Sequence, residues 1–244
     1  FHLSKLIKSK KYSISMVVLD ENKISKKYLK NKLIKVFKIG FLGAINGIRM
    51  RSWYDLNFSM RLKLKSLEEI CNENSIKFAR VKSINCISTI ELLNKESPCL
   101  GISLGNSYIG SKIFNIPKYG IINIHHEILP QYKGAQSIIW QIYNKSSVTG
   151  YTIHKINKTI DGGEILLKET LPIKFKSTLK ETVIYNYNIL WKSSCVGLFN
   201  ILENIEKYIN SGVQQENVKI SYTTPTIFQF VKILINHYKL SKDK

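Results

Sequence analysis

Tyr119-Gly120-Ile121-Ile122-Asn123-Ile124-His125 is the stretch that decides the fold. It is apolar and rich in β-branched side chains, which suit a pleated, buried surface, so it reads as an interior strand. Side chains two apart on a strand share a face. Asn123 and His125 therefore point one way, while Ile122 and Ile124 point into the opposite layer. Pro130 then ends regular structure and Gly134 permits a tight turn, which puts both polar groups at the strand's C-terminal mouth. In open α/β sheets that mouth is where ligands bind.

Working outward, strands are expected at 12–20, 78–81, 100–104, 150–157 and 165–173, with a short extended piece at 220–224. Helices are expected at 1–10, 66–75 (capped by Ser66, with Glu68 and Glu69 in the first turn), 88–94 (capped by Ser88) and 135–144. A long helix or helix pair should fill 178–209, and a last helix should follow Pro225 to about Leu240. Strands alternating with helices predict an α/β fold with a mostly parallel sheet covered on both faces. Residues 23–57 read as a basic, largely helical insertion interrupted near Gly40, Gly43 and Gly47. The chain opens at Phe1 with a helix, so a first strand is apparently missing. Domain organisation is read as a catalytic domain over 1–174 and a helical extension over 175–244 packed on it.

Composition narrows the functional classes. The 244 residues are 44% hydrophobic, enough for one substantial core. No apolar run approaches the roughly 20 residues of a spanning helix, so the chain reads as soluble and cytoplasmic, with no membrane partner. Cys71, Cys86, Cys99 and Cys195 are far apart and form no CxxC pair, which argues against a zinc cluster or a disulfide framework. The net charge of +20 invites a nucleic-acid partner, but lysines are scattered throughout. Charge alone reports non-specific attraction, which also draws small anionic substrates. No GxGxxG and no P-loop supports a nucleotide-binding turn.

The chemistry lies in Asn123, His125 and Asp161. An amide, an imidazole and a carboxylate are the set needed to move an acyl group onto a nitrogen. Asp161 is the single aspartate between Asp55 and Asp243, and it precedes Gly162-Gly163. An Asp-Gly pair is also a common turn. His154 reads as a strand residue facing a neighbour, and His126 and Glu127 as loop decoration rather than metal ligands.

Asn123-Ile124-His125, Leu129-Pro130-Gln131-Tyr132-Lys133-Gly134, Thr149-Gly150-Tyr151-Thr152-Ile153-His154 and Ile160-Asp161-Gly162-Gly163 resemble, in this order and spacing, the signature of folate-dependent formyltransferases. That family includes methionyl-tRNA, glycinamide ribonucleotide and sugar N-formyltransferases. The likeness runs from about residue 66 to 173, with weaker echoes over 214–226. It implies a Rossmann-like domain using 10-formyltetrahydrofolate as cosubstrate, with Asn123, His125 and Asp161 in the catalytic positions. Gly105, Asn106, Ser107, Tyr108 and Ile109 would form the pterin-binding loop, with Phe114 as an apolar wall. Asn157 and Ile160 would close the other side, and Leu129-Pro130 would shape the passage to the acceptor. No metal is implied. Glu127 stands where the family usually has serine or another small residue, and the family's first strand and its glycine turn are absent. The insertion over 23–57 replaces a shorter connection.

Little chain follows Thr226, too little for the β-barrel that methionyl-tRNA formyltransferases add for tRNA. Lys133-Gly134-Ala135-Gln136 also departs from the purine-pathway pattern. A small amine acceptor is therefore expected, with an amino sugar on a nucleotide favoured over tRNA. Hydrolysis of 10-formyltetrahydrofolate, or a non-catalytic basic binding module, are the alternatives, and a homodimer stays open.

Overall fold

The computed structural model describes residues 1–21, 33–34, 36–54, 65–105, 107–134, 136–216, 218 and 220–242. Residues 23–32, 35 and 55–57 of the expected insertion, and Asn106, lie outside the described residues. The elements are α1 (His2–Ser9), β1 (Met16–Asp20), α2 (Phe41–Tyr54), α3 (Leu67–Glu73), β2 (Lys77–Val81), α4 (Ile87–Glu96), β3 (Gly101–Ser103), α5 (Ser111–Phe114), β4 (Ile121–His125) and β5 (Lys133–Gly134). There follow α6 (Ile139–Tyr143), β6 (Val148–Lys155), β7 (Ile165–Pro172), α7 (Leu179–Glu203), α8 (Ile205–Asn210), β8 (Ser221–Tyr222) and α9 (Ile227–Lys242).

The α/β class is as expected, and β1 with β2, β3 with β4 and β5 with β8 are parallel pairs. The strand that decides the fold nevertheless sits in a mixed sheet of order β3-β4-β6-β7, in which β4/β6 and β6/β7 run antiparallel. Chain length accounts for the reversal between β6 and β7. A parallel return needs a crossover of a dozen or more residues, and the link between β6 and β7 spans only 156–164. That short hairpin turns back at the mouth of β4, which is how residues 157–161 come to lie there.

Alternation along β4 divides the molecule. Ile122 and Ile124 join Tyr151 and Ile153 of β6 in a large apolar cluster with Val183, Leu190 and Leu198 of α7 and Phe230 and Ile233 of α9. Ile121, on the other face, packs with Ile84, Ile109 and Ile113 in a smaller cluster. Helices thus cover both faces. Each fully buried Ile stabilises the fold by roughly 1.5–3 kcal/mol relative to exposure.

Capping fits the sequence in two places. Ser66 and Glu69 form a reciprocal capping box at α3, and Thr178 and Glu181 form one at α7. Three local expectations change. The cap of α4 is Cys86 rather than Ser88, whose hydroxyl instead meets the Cys86 thiol. Gly43 and Gly47 do not interrupt α2, because their missing side chains let the helix approach Thr224–Thr226 closely. The helix expected over 135–144 is confined to 139–143, since Gln136 and Ile138 take φ of +75°. For a β-branched residue that conformation is strained. The long C-terminal helical stretch is two helices, parted at Asn204.

Candidate active site

Pairing of β3, β4 and β6 sets Ser103, Asn123 and His154 in one row across the sheet, with His125 opposite Thr152 beside it. The side-chain amide Nδ2 of Asn123 donates to Nε2 of His154 at 3.2 Å. Nδ1 of His154 donates to the Lys155 carbonyl at 2.9 Å. These two bonds assign His154 as a neutral Nδ1–H tautomer. Burial agrees, holding the ring's pKa down at about 4 despite the nearby Asp161 carboxylate. One N–H of the Asn123 amide is thereby committed to His154, and its second N–H remains for a ligand.

His125 donates from Nε2 to the Tyr132 carbonyl at 3.0 Å, so Nδ1 is the nitrogen left to take up a proton. That nitrogen lies 3.9 Å from Oδ1 of Asp161, and Nε2 of His154 lies 4.0 Å from the same oxygen. Such separations exceed a direct hydrogen bond, and one water can bridge them. The other oxygen of Asp161 accepts the Gly134 backbone N–H at 3.1 Å. Asp161 itself takes φ of +50°, a conformation that aspartate tolerates better than most residues and that recurs at functional sites. Gly163 makes the bend feasible, because a Cβ there would lie 1.8 Å from the Lys155 carbonyl oxygen.

A cavity of about 110 Å³ opens against this row, lined by Asn123, His154 and Asp161 with Ser107, Tyr108, Ile109, Asn157 and Ile160. The loop over 107–110 is held by side chains rather than by a ladder. The Asn85 amide accepts the Gly110 N–H and donates to the Tyr108 carbonyl, both at 2.6 Å, and Ser107 donates to Asp20 at the end of β1. Gly105 precedes the loop with φ of +74° and open space where a Cβ would be. Asn106 lies outside the described residues. Phe114 packs in the small apolar cluster behind the loop, and Leu129 and Pro130 are buried, so these three back the site rather than line its cavity. Leu129 is tied there by its N–H to Thr152 Oγ1 at 3.1 Å.

Three residues matter more than the sequence suggested. His154 is a member of the site, and its signal was the Thr152-Ile153-His154 alternation, the same two-apart pattern as Asn123 and His125. His126 and Glu127 are not loop decoration. His126 stacks on Trp191 with ring centroids 5.6 Å apart, and burial pushes its pKa down to about 3. Glu127 is 4% exposed and accepts the Gln141 amide, and burial pushes its carboxyl up to about 8 against the lowering effect of its hydrogen bonds. A buried Glu held protonated at neutral pH is a donor as well as an acceptor. Among the described residues no cluster of three metal-ligating side chains forms, and no helix is long and apolar enough to cross a membrane.

Residues 106–185 match the family model described as formyl transferase, a span that contains Asn123, His125, His154 and Asp161. The bifunctional polymyxin resistance protein ArnA of Wigglesworthia glossinidia brevipalpis is 32% identical over 170 residues, 68% of this chain and 24% of that protein. Methionyl-tRNA formyltransferase of Clostridium acetobutylicum is 35% identical over 123 residues, 50% of this chain and 40% of that protein. The chain thus spans about a quarter to two fifths of the length of these curated relatives. Among solved structures, an N-formyltransferase from Helicobacter canadensis in complex with folinic acid and dTDP-3-aminofucose is similar at a TM-score of 0.49 and 20% identity, covering 93% of this chain and 81% of that one. The resemblance to formyltransferases read from the motifs is shown by the match over 106–185.

Proposed function

We propose that this protein moves a formyl group from 10-formyltetrahydrofolate to a primary amine. The observation that carries the proposal is the convergence of Asn123, His154 and Asp161 on one cavity, with Nδ1 of His125 directed at Asp161. Residues 1–174 would be the catalytic domain and 175–244 an extension on it, in keeping with an apolar cluster that draws on both.

The roles follow from the geometry. The amine attacks the formyl carbon, a C–N bond forms and the carbonyl oxygen becomes an oxyanion. The free N–H of Asn123, fixed by His154, donates to that oxyanion, a contact typically worth about 3 kcal/mol of barrier. The attacking nitrogen turns cationic and gives its proton to Nδ1 of His125, while the Asp161 carboxylate stabilises the imidazolium so formed. His125 then passes the proton to N10 of the folate, the bond from N10 to the formyl carbon breaks, and tetrahydrofolate leaves. Ser107, Tyr108 and Ile109 on one side, with Asn157 and Ile160 on the other, would hold the folate. The apolar Ile109, Ile156 and Ile160 beside polar Ser107 and Asn157 suit a flat, hydrogen-bonding ring.

An amino sugar on a nucleotide is the favoured acceptor; the net charge of +20 attracts its diphosphate and would equally attract the phosphates of tRNA. Aminoacylated tRNA is the second reading, favoured by the 35% identity to a methionyl-tRNA formyltransferase. The test is a transfer assay with 10-formyltetrahydrofolate against amino-sugar nucleotides, aminoacylated initiator tRNA and glycinamide ribonucleotide. Formylation of an amino sugar supports the first reading, and formylation of tRNA with a steep loss of affinity in salt supports the second. Formate released without any acceptor would replace transfer by hydrolysis.

A further inference from the structure

Both proton-handling partners of the proposed reaction, His125 and Asp161, are anchored to one three-residue segment, 132–134. The Tyr132 carbonyl accepts from His125 Nε2 at 3.0 Å, and the Gly134 N–H donates to Asp161 Oδ2 at 3.1 Å. Lys133 and Gly134 form the two-residue strand β5, directly after Tyr132, and among the described residues its strand partner is β8, pairing Lys133 with Ser221 and Gly134 with Tyr222. The approach is close enough that a Cβ on Gly134 would fall 2.1 Å from the Tyr222 carbonyl oxygen, and Gly134 has φ of +108°. A two-residue ladder supplies few hydrogen bonds, so its register must be fixed by side chains.

Tyr222 does this. Its ring stacks on Tyr132 with centroids 5.5 Å apart and an interplanar angle of 26°, and its centroid lies 4.8 Å from that of Trp140. Its hydroxyl accepts from Asn144 Nδ2 at 3.1 Å, and the neighbouring Thr223 carbonyl accepts from Trp140 Nε1 at 2.8 Å. Trp140 and Asn144 lie in and just after α6, so β8 is clamped to that helix while it holds β5 in place.

We propose that Tyr222 is a positioning residue: it sets the separation of His125 and Asp161 through the segment 132–134, which carries an anchor for each. Tyr222 lies outside the segment 106–185 that matches the family model, so the C-terminal extension completes the site. The catalytic consequence rests on the formyl-transfer reading, while the positional one does not. Misplacing a catalytic pair by about 1 Å costs on the order of 100-fold.

The test compares Tyr222→Ala with Tyr222→Phe, which keeps the stack and loses only the hydroxyl. The 15N spectrum of the His125 ring is read in the free protein, with Asp161→Asn as a reference for a disturbed pair. Tyr222→Ala should mix the Nδ1–H tautomer into the Nε2–H form, and Tyr222→Phe should match the parent. In turnover of 10-formyltetrahydrofolate, Tyr222→Ala should lower kcat about 10- to 100-fold with KM within about threefold. Should Tyr222→Ala fail to fold, Tyr222→Leu, which keeps bulk and removes the stack, is held to the same outcomes. A folded Tyr222→Ala or Tyr222→Leu with an unchanged His125 tautomer overturns the proposal. A changed tautomer in a protein that turns over no formyl donor upholds the positioning and refutes the formyl-transfer reading alone.

Discussion

The two faces of strands β4 and β6 are made by the same backbone and do opposite work. On one, Ile122, Ile124, Tyr151 and Ile153 are buried against α7 and hold the domain together without directional bonds. On the other, His125, Thr152 and His154 are nearly as buried and Asn123 is half-buried, and each is held by a specific hydrogen bond. An apolar face tolerates small shifts because dispersion and desolvation are non-directional. A buried polar face does not, since every unmade bond costs the group its hydration. Stability and chemistry are thereby separated by a single residue step along one strand.

The largest effect expected from disturbing this division is a pH effect at Glu127, at the exit of β4. Its folded pKa of about 8 lies above the unfolded value of 4.5. The folded state therefore holds the extra proton, and the stability that Glu127 contributes falls as pH rises from about 4.5 to about 8, a decline unopposed by the histidines only above about 6.5. Glu127→Gln should remove that decline and raise stability at pH 8 by on the order of 4 kcal/mol, measured by urea denaturation across pH. On the acid side the sign reverses. His126 and His154 have folded pKa values near 3 and 4, below the 6.5 of the unfolded chain, so stability should fall as pH drops below about 6.5 in both proteins.

Next in size is Ile153→Ala on the apolar face, expected to cost about 3 kcal/mol of stability while leaving kcat within a few-fold at a temperature where the protein stays folded. Asn123→Ala and His125→Ala should do the reverse, lowering turnover at least about 100-fold, equivalent to about 2.7 kcal/mol, with a smaller change in denaturation midpoint. If all three variants lost stability and activity in parallel, the division between faces would be wrong. The smallest change is at the helix covering the apolar face, where Thr178→Ala removes half of a capping box and should cost about 1 kcal/mol with no change in turnover.

Much of this was legible in the chain. The alternation of Asn123 and His125 with Ile122 and Ile124, the cap at Ser66, and the bend at Asp161-Gly162-Gly163 are local features whose causes are steric and short-ranged. What escaped was contact across long separations. The tautomer of His154 depends on Asn123, 31 positions away. The protonated state of Glu127 depends on burial beside α6, and Ser88 gave way to Cys86 as a cap through packing that propensity does not record.

By itself the sequence determined which residues could lie on one strand face, where helices begin, and which chemistry an amide, an imidazole and a carboxylate could share. Only the tertiary structure decided that a hairpin too short to cross over brings Asp161 back to β4, and that the strand holding its Gly134 partner pairs with residues as distant as Ser221 and Tyr222. Strand periodicity is a property of neighbouring residues, whereas register between distant segments is set by packing that no local pattern encodes.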